Sequence, residues 1–129
     1  ETAATRRSID DLQQRLDALG GTFEYDRKRE RLEELDRELG NAAIWNKPER
    51  AQELGRERAR LASTIGELDQ IGRGLTETAE LLALVETERD EAGFAEVDRD
   101  TRQLEQRVRQ LERMRMFPGE MDARGALLD

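Results

Sequence analysis

The sequence predicts an all-α protein: an antiparallel helical bundle, or a coiled-coil hairpin, of about four helical segments. Apolar residues recur at alternating spacings of three and four in four stretches, which is the period of an amphipathic helix. Hydrophobic residues make up only 36% of the chain and the mean hydropathy is -0.90, so each helix is expected to bury a narrow stripe. No alternating pattern typical of a strand is present, apart from a possible strand start at Leu127–Leu128.

The first two segments have recognisable ends. Ser8 is a candidate cap of the first helix, with Asp11 three residues later in a capping-box relation, and Gly20–Gly21 is expected to stop it. Gly40–Asn41 is expected to close the second helix in the way that glycine ends helices. The apolar stripes are Ile9, Leu12, Leu16 and Leu19 in the first segment, and Tyr25, Leu32, Leu35 and Leu39 in the second.

The third segment begins beside the only tryptophan of the chain. Asn46 is expected to cap it, Pro48 fits a first turn that has spare N–H groups, and Glu49 adds an acid there. Gly72 and Gly74 interrupt the pattern, which predicts a kink, a break or a local bend. A leucine recurs every seven residues along this segment: Leu54, Leu61, Leu68, Leu75 and Leu82.

The fourth segment has the most regular pattern, with spacings of 3, 4, 3, 4 and 3 that are typical of a coiled-coil seam. Its members are Phe94, Val97, Thr101, Leu104, Val108 and Leu111, and Pro118–Gly119 is expected to end it. We therefore predict a helical domain over residues 1–117. Residues 118–129 are predicted to form a connection toward a following domain.

Composition excludes several classes of chemistry. The chain has no cysteine and no histidine, which excludes disulfides, thiolate metal sites and Cys or His nucleophile chemistry. Its net charge of -8 argues against a general polyanion binder, because phosphate binding needs clustered Lys and Arg. No apolar run approaches the roughly 20 residues of a membrane span, and no signal-peptide pattern is present. We expect a cytoplasmic protein.

Two groups of acids are candidates for metal binding or general acid catalysis. They are Glu33, Glu34 and Glu38 on the second segment, and Glu96, Asp98 and Asp100 on the fourth. Such chemistry needs carboxylates that converge inward from several helices. These acids lie off the apolar stripes and alternate with arginines, so they are interpreted as solvated faces. No catalytic, cofactor-binding or metal-binding residue is predicted.

The densest basic run lies near the C-terminal end of the fourth segment. It comprises Arg107, Arg109, Arg113 and Arg115. Contact with RNA is possible in principle, but Glu105 and Glu112 dilute the positive charge and no aromatic residue is interleaved for base stacking. The run is therefore interpreted as a solvated helix flank with ion pairs.

Trp45 invites either a ligand-binding or a packing interpretation. With Ile44 it precedes the predicted cap of the third helix, where a large apolar residue commonly packs back on the helix. We predict that Trp45 is a packed anchor at a corner of the chain. Its replacement by alanine is then expected to lower stability by about 3–5 kcal/mol.

Several stretches resemble the N-terminal domain of the bacterial release factor 2 family, the class-I peptide chain release factors associated with UGA and UAA stop codons. "EYDRKRERLEELDREL" is followed by "WNKPERAQELGRER", and later by "LDQIGRGLTETAELLAL" and "LERMRMFPGEMD", in the same order as in that family. The most specific elements are the tyrosine–aspartate pair, expected before the second helix, and the tryptophan stretch before the third. The resemblance covers the chain from about Ile9 to Asp129.

The resemblance implies an activity that this chain does not carry alone. Members of the family read the stop codon with a Ser-Pro-Phe-type motif and promote peptidyl-tRNA hydrolysis with a Gly-Gly-Gln motif, and neither tripeptide occurs here. The resemblance therefore implies a first domain, itself not an enzyme and without a cofactor, with decoding and catalytic domains after Asp129. Implied partners are the ribosome, the stalk-base region and the release-factor GTPase. Neither membrane contact nor direct nucleic-acid binding is expected.

Other functions remain open from the residues alone. The main alternative is a free-standing coiled-coil adaptor or dimerisation module, which would associate as its concentration rises. An RNA-binding helical hairpin would show steeply salt-dependent affinity, which the net charge of -8 disfavours. An independent enzyme is the weakest alternative.

Overall fold

The computed structural model describes residues 2–115, except for the side chains of Thr22, Phe23 and Arg115. Within these residues the chain is helical and contains no strand, which confirms the all-α prediction. The elements are α1 (Thr2–Gly20), α2 (Thr22–Gly40), a short 3-10 helix (Ala42–Asn46), α3 (Pro48–Glu88) and α4 (Glu91–Arg115). The predicted helix end at Pro118–Gly119 and the possible strand at Leu127–Leu128 lie outside the described residues.

The first helix starts earlier than predicted. Ser8 lies inside α1 and does not cap it. The reason is that the buried stripe of Ile9 extends back by one helical turn to Thr5, which is also buried. The predicted stop is confirmed, because α1 ends at Gly20 and α2 begins directly after Gly21. Gly21 has a φ of 42°, a conformation that glycine adopts without a Cβ clash.

α2 ends at Gly40 as predicted, but not by a left-handed glycine. Asn41 follows in an extended conformation, with φ -81° and ψ 121°. Its side-chain oxygen accepts a hydrogen bond of 3.0 Å from the backbone N–H of Ala43, which starts the 3-10 helix. Asparagine therefore ends one helix and caps the next.

The predicted cap of α3 is wrong. Asn46 is the last residue of the 3-10 helix, and Lys47 lies between it and α3. The backbone carbonyl of Lys47 accepts a 3.0 Å hydrogen bond from the N–H of Ala51, as the residue before a helix does. Pro48 and Glu49 occupy the first turn, as predicted.

α3 runs through Gly72 and Gly74 without interruption, so the expectation of a break there is wrong. Both glycines face leucines of other helices. A Cβ added at Gly72 would lie 3.7 Å from a methyl of Leu16, and one at Gly74 would lie 3.0 Å from a methyl of Leu104. The contact at Gly72 is an ordinary van der Waals distance, whereas at Gly74 glycine permits a close approach of Leu104 that a Cβ would crowd. This close packing explains why Gly74 is accommodated in a long helix despite the low helix propensity of glycine.

A tight turn joins α3 to α4. The N–H of Asp90 donates to the carbonyl of Val85, and the N–H of Arg89 to that of Glu86, which is the Schellman pattern. Arg89 takes the left-handed position, with φ 52°. The Asp90 carboxylate then accepts a 3.0 Å hydrogen bond from the N–H of Gly93 and caps α4.

The described chain divides into two compact units. The first, the three-helix unit, comprises residues 2–19 and 71–115, that is α1, the second part of α3 and α4. Leu16 faces Gly72 and Arg6 pairs with Glu86, so α1 runs antiparallel to this part of α3. Its core consists of Ile9, Leu12, Ile71, Leu75, Leu82, Val85, Val97, Leu104 and Val108.

The second unit, the hairpin unit, comprises Gly20–Gln70, which holds α2, the 3-10 helix and the first part of α3. The two helices are antiparallel, because Tyr25 near the start of α2 bonds to Asp69 while Asp36 pairs with Arg58. The buried apolar side chains described in this unit are Leu35, Ala51, Leu54, Ile65 and Leu68.

The heptad leucines and the fourth seam are largely confirmed as core. Leu61 is the half-buried member of the leucine repeat, and Phe94 and Leu111 at the two ends of the fourth seam are also partly buried. The buried members are Leu54, Leu68, Leu75 and Leu82 in the repeat, and Val97, Thr101, Leu104 and Val108 in the seam. Thr101 satisfies its hydroxyl within its own helix by donating to the carbonyl of Val97 at 2.8 Å.

Candidate functional site

The acids of α2 lie on a solvated face, as predicted. Glu33, Glu34 and Glu38 are all exposed, and Glu34 pairs with Arg31 one turn earlier at 2.9 Å. Among residues 2–115, no three side chains of the types His, Cys, Asp or Glu are grouped so that they could hold a metal ion. The described helices also include none that is long and apolar enough to cross a membrane.

Two ion pairs form within α4. Asp98 pairs with Arg102 at 3.0 Å, and Glu105 pairs with Arg109 at 2.7 Å, both at a spacing of four residues. Arg113 is exposed. This arrangement agrees with the interpretation of a solvated helix flank for the described part of the basic run.

Trp45 is not a buried anchor, and that prediction is wrong. The residue is 62% exposed at the corner between α2 and α3. The indole N–H donates a 3.2 Å hydrogen bond to the backbone carbonyl of Leu39, in the last turn of α2. The indole therefore hydrogen-bonds to the end of α2, while most of the residue remains exposed to solvent. Lys47, Glu49 and Arg50 nearby give this corner both signs of charge.

Tyr25 connects the two helices of the hairpin unit. It lies within α2, not before it, and its hydroxyl donates to Asp69 of α3 at 2.7 Å. The same hydroxyl accepts a 3.0 Å hydrogen bond from Arg29, whose guanidinium lies 5.6 Å from the ring centroid. The tyrosine of the family-like stretch therefore fixes the pairing of α2 with α3.

Two arginines make paired hydrogen bonds to glutamates on other helices. In the hairpin unit Arg31 donates to both carboxylate oxygens of Glu57, each at 2.9 Å. In the three-helix unit Arg15 does the same to Glu112, at 2.9 and 2.7 Å. These hydrogen bonds to the charged form lower the pKa of each glutamate below its ordinary value. Their geometry indicates structural ion pairs and not catalytic acids.

A shallow groove lies between α3 and α4 in the three-helix unit. Its volume is about 270 Å³, and it is bordered by exposed Leu81. Leu84, about one turn further along α3, is also exposed, with a relative accessibility of 52%. The lining residues are Gly74, Glu77, Thr78, Leu81, Asp100, Gln103, Leu104 and Arg107.

The sequence interpretation did not single out Leu81 and Leu84. Both belong to the apolar run around Leu82, so the run as a whole looks buried. Leu81 and Leu84 nevertheless lie outside the buried stripe of the helix. The signal that could have found them is the heptad frame, because Leu75 and Leu82 define the core face and Leu81 and Leu84 lie outside it. Marking off-stripe leucines would have identified this surface.

Comparison with known proteins identifies the family of the chain. The PCRF domain family matches residues 28–129. Over all 129 residues the chain is 43% identical to peptide chain release factor 2 of Xanthomonas euvesicatoria pv. vesicatoria (strain 85-10), and it spans 34% of that protein's length. The resemblance inferred from the sequence is thereby confirmed. Because the match covers most of the chain, this chain belongs to the PCRF domain family, the family of the peptide chain release factors that it resembles.

Proposed function

We propose that this chain is the N-terminal helical domain of a translation termination factor that directs peptide release at UGA and UAA stop codons. The observation that carries the proposal is identity of 43% across the entire chain to a peptide chain release factor 2. The chain spans only 34% of that relative, so stop-codon reading and hydrolysis are assigned to the remaining length. In this proposal residues 1–117 form the helical domain and residues 118–129 lead into the next one.

The proposed role of the domain is to position the factor on the ribosome. This role is supported by the exposed helix faces of both units, which leave surface available for contacts with partners. Partners of such a domain are the stalk-base region and the release-factor GTPase, reached through protein contacts. The net charge of -8 supports protein surfaces over bare RNA as the contact.

The chain itself is proposed to carry no chemistry. Many acids of the described residues are exposed, and Glu112 and Glu57 pair with Arg15 and Arg31 of other helices. The proposed protein works in the cytoplasm, where ribosomes terminate translation, and needs no cofactor in this domain.

The size of the natural protein is the simplest test. An antibody raised against this chain should detect, in the source cells, a band far above 14.8 kDa. A band at that size would instead favour the free-standing adaptor. Sedimentation of the chain over a range of concentrations adds to this, since a self-packed bundle stays monomeric and a dimerisation module does not.

The activity is tested with the natural full-length protein on ribosomes stalled at UGA, UAA or UAG. We expect release at the first two codons only. Deleting residues 1–115 should leave codon choice unchanged, and should raise the factor concentration needed for half-maximal release or remove stimulation by the release-factor GTPase. Release at none of the codons would overturn the termination proposal. Unchanged kinetics after the deletion would overturn the positioning role alone.

A further inference from the structure

One face of α3 exposes leucines among acids. We call it the acidic leucine face, defined by Glu77, Glu80, Leu81, Leu84 and Glu88. Four of these residues are spaced by four, three and four positions, so they lie along one side of the helix. The leucines are 38% and 52% exposed, although their neighbours in the sequence, Leu82 and Val85, are buried.

The apolar part of this face continues into the groove between α3 and α4. Leu81 and Glu77 belong to both the face and the groove. Buried Thr78 and Leu104 line the groove, and Gly74 adds no side chain to it. The groove can therefore accept a side chain of a partner next to the exposed leucines.

The charge of the surface is strongly one-sided. From Gly74 to Glu88 the sequence contains Glu77, Glu80, Glu86 and Glu88 but no lysine or arginine. Glu86 is paired with Arg6, whereas the other three glutamates form no ion pair with any residue in the described part of the chain. Asp100 adds a further negative charge across the groove. Arg107, the cation among the lining residues, has interactions of its own.

Charge complementarity identifies the partner. We propose that the acidic leucine face and its groove dock a basic amphipathic helix of another protein. Apolar side chains of that helix, three or four residues apart, would pack on Leu81 and Leu84, and its flanking lysines or arginines would pair with Glu77, Glu80 and Glu88. This proposal does not depend on the role in termination.

Charge also disfavours the other occupants. A second copy of the chain brings a net charge of -8 to an already negative surface. The segment 116–129 contains Glu120, Asp122 and Asp129 against Arg124 alone, so it is acidic as well. RNA is repelled by the same glutamates.

The probe is a labelled peptide of about 18 residues that forms a helix with leucines on one side and lysines on the other. It is titrated with the whole chain by fluorescence anisotropy, beside a matched peptide in which every lysine is glutamate. We expect the basic peptide to bind and the acidic peptide not to bind. Amide chemical shifts should change most over residues 74–88 and 100–107.

Two sets of variants separate docking from general attraction. Leu81→Ser with Leu84→Ser should weaken binding by about tenfold or more without unfolding the chain, because both side chains are exposed. Glu77→Lys, Glu80→Lys and Glu88→Lys should weaken it further. The matched control is Glu30→Lys, Glu33→Lys and Glu38→Lys, three exposed glutamates of α2 that change the net charge equally. Circular dichroism verifies the helix content of every variant.

Several results would overturn the proposal. Equal loss in both charge-reversal sets would mean nonspecific attraction, and unchanged binding by the serine variant would mean that the leucines do not form the site. A dimer that disappears in the serine variant would make a second copy the occupant. Tighter peptide binding after removal of residues 116–129 would make that segment the occupant, and preference for an RNA hairpin over the peptide would replace the partner class.

Discussion

The three-helix unit and the hairpin unit combine the same two kinds of interaction in different proportions. Nine buried apolar residues from three helices form the core of the first unit. In the hairpin unit the described buried apolar residues are fewer and come from two helices, because a helix with one neighbour buries one narrow side. Instead, α2 and α3 are joined there by Tyr25–Asp69, Arg31–Glu57 and Arg58–Asp36.

This difference shows how a lean sequence can still fix the pairing of long helices. Leucine stripes with a constant repeat can slide by a heptad without losing apolar contact. Hydrogen-bonded pairs of unlike residues prevent such a shift of one helix along the other, because each residue has its partner on the other helix at one position only. We infer that burial dominates the stability of the three-helix unit, and that polar pairs set the register of the hairpin unit.

The largest expected effect comes from a charge in the apolar core. Leu104→Asp puts a carboxylate at a position only 7% exposed, between the buried residues Thr101 and Val108 of the seam. It should destabilise the chain by about 3–5 kcal/mol, as an uncompensated buried charge does. Thermal unfolding followed by circular dichroism measures the loss. Gln106→Asp, an exposed position two residues away, is the matched control and should change little.

A cavity in the smaller core, that of the hairpin unit, tests whether the two units unfold separately. Leu35→Ala removes a fully buried side chain from the hairpin unit and should cost about 2–5 kcal/mol. Hydrogen exchange should then accelerate more in α2 than in α4. Leu75→Ala is the mirror experiment in the three-helix unit and should have the opposite pattern. Equal acceleration of hydrogen exchange in α2 and α4 would show that the two units unfold together as one cooperative unit.

The core of both units follows from the sequence, because apolar spacing reports burial directly. The leucine repeat of α3 and the seam of α4 contain eight of the buried residues, four from each pattern. Helix ends are less predictable. Ser8 and Asn46 both have the chemistry of caps, but the helices begin at Thr2 and Pro48, because a cap needs a position as well as a suitable side chain.

The surfaces are the least predictable part. Trp45 is hydrophobic enough to suggest burial, yet a 3-10 helix of five residues extends the corner and leaves the ring in water. Gly72 and Gly74 suggest a break because local propensity is all that a sequence shows, whereas α3 continues through both and each lies near a leucine of another helix, Leu16 or Leu104. Sequence reasoning fails here because the deciding contacts join residues that are far apart in the chain.

Two glycines of α3, one in each unit, are expected to differ in how much an alanine substitution stabilises the chain. At Gly66, in the hairpin unit, an added Cβ meets nothing within 4 Å, so Gly66→Ala should gain helix propensity of up to about 1 kcal/mol. At Gly74 the same Cβ would lie 3.0 Å from Leu104, which offsets part of the gain. Urea titration should therefore rank Gly66→Ala above Gly74→Ala in stability. Equal gains would mean that Leu104 moves aside freely.

The ion pairs predict a dependence of stability on pH. Arg31 lowers the pKa of Glu57 below its ordinary value of 4.5 in the folded chain. A lowered folded pKa stabilises the folded state above the unfolded pKa, and that stabilisation disappears as pH falls through the folded pKa. Glu57→Gln should thus cost up to about 1 kcal/mol at pH 7, the usual size for a solvent-exposed pair, and less as the pH falls below 4.5. Urea titrations at pH 7, 5, 4 and 3 measure the difference, and a cost that stays constant with pH would exclude the ion pair as its cause.

The smallest effect is expected at Trp45, although tryptophan is the largest side chain in the hairpin unit. Trp45→Ala removes a ring that is mostly in water and one hydrogen bond to Leu39, so the loss should be about 1 kcal/mol or less. Trp45→Phe keeps a ring without the donor and separates the two contributions. The same residue, as the sole tryptophan, should fluoresce like solvated indole and be quenched readily by acrylamide. A loss of about 3 kcal/mol or more, or strong protection from the quencher, would mean that the ring is buried in solution. Apolar packing at this corner would then help the polar pairs to hold α2 against α3.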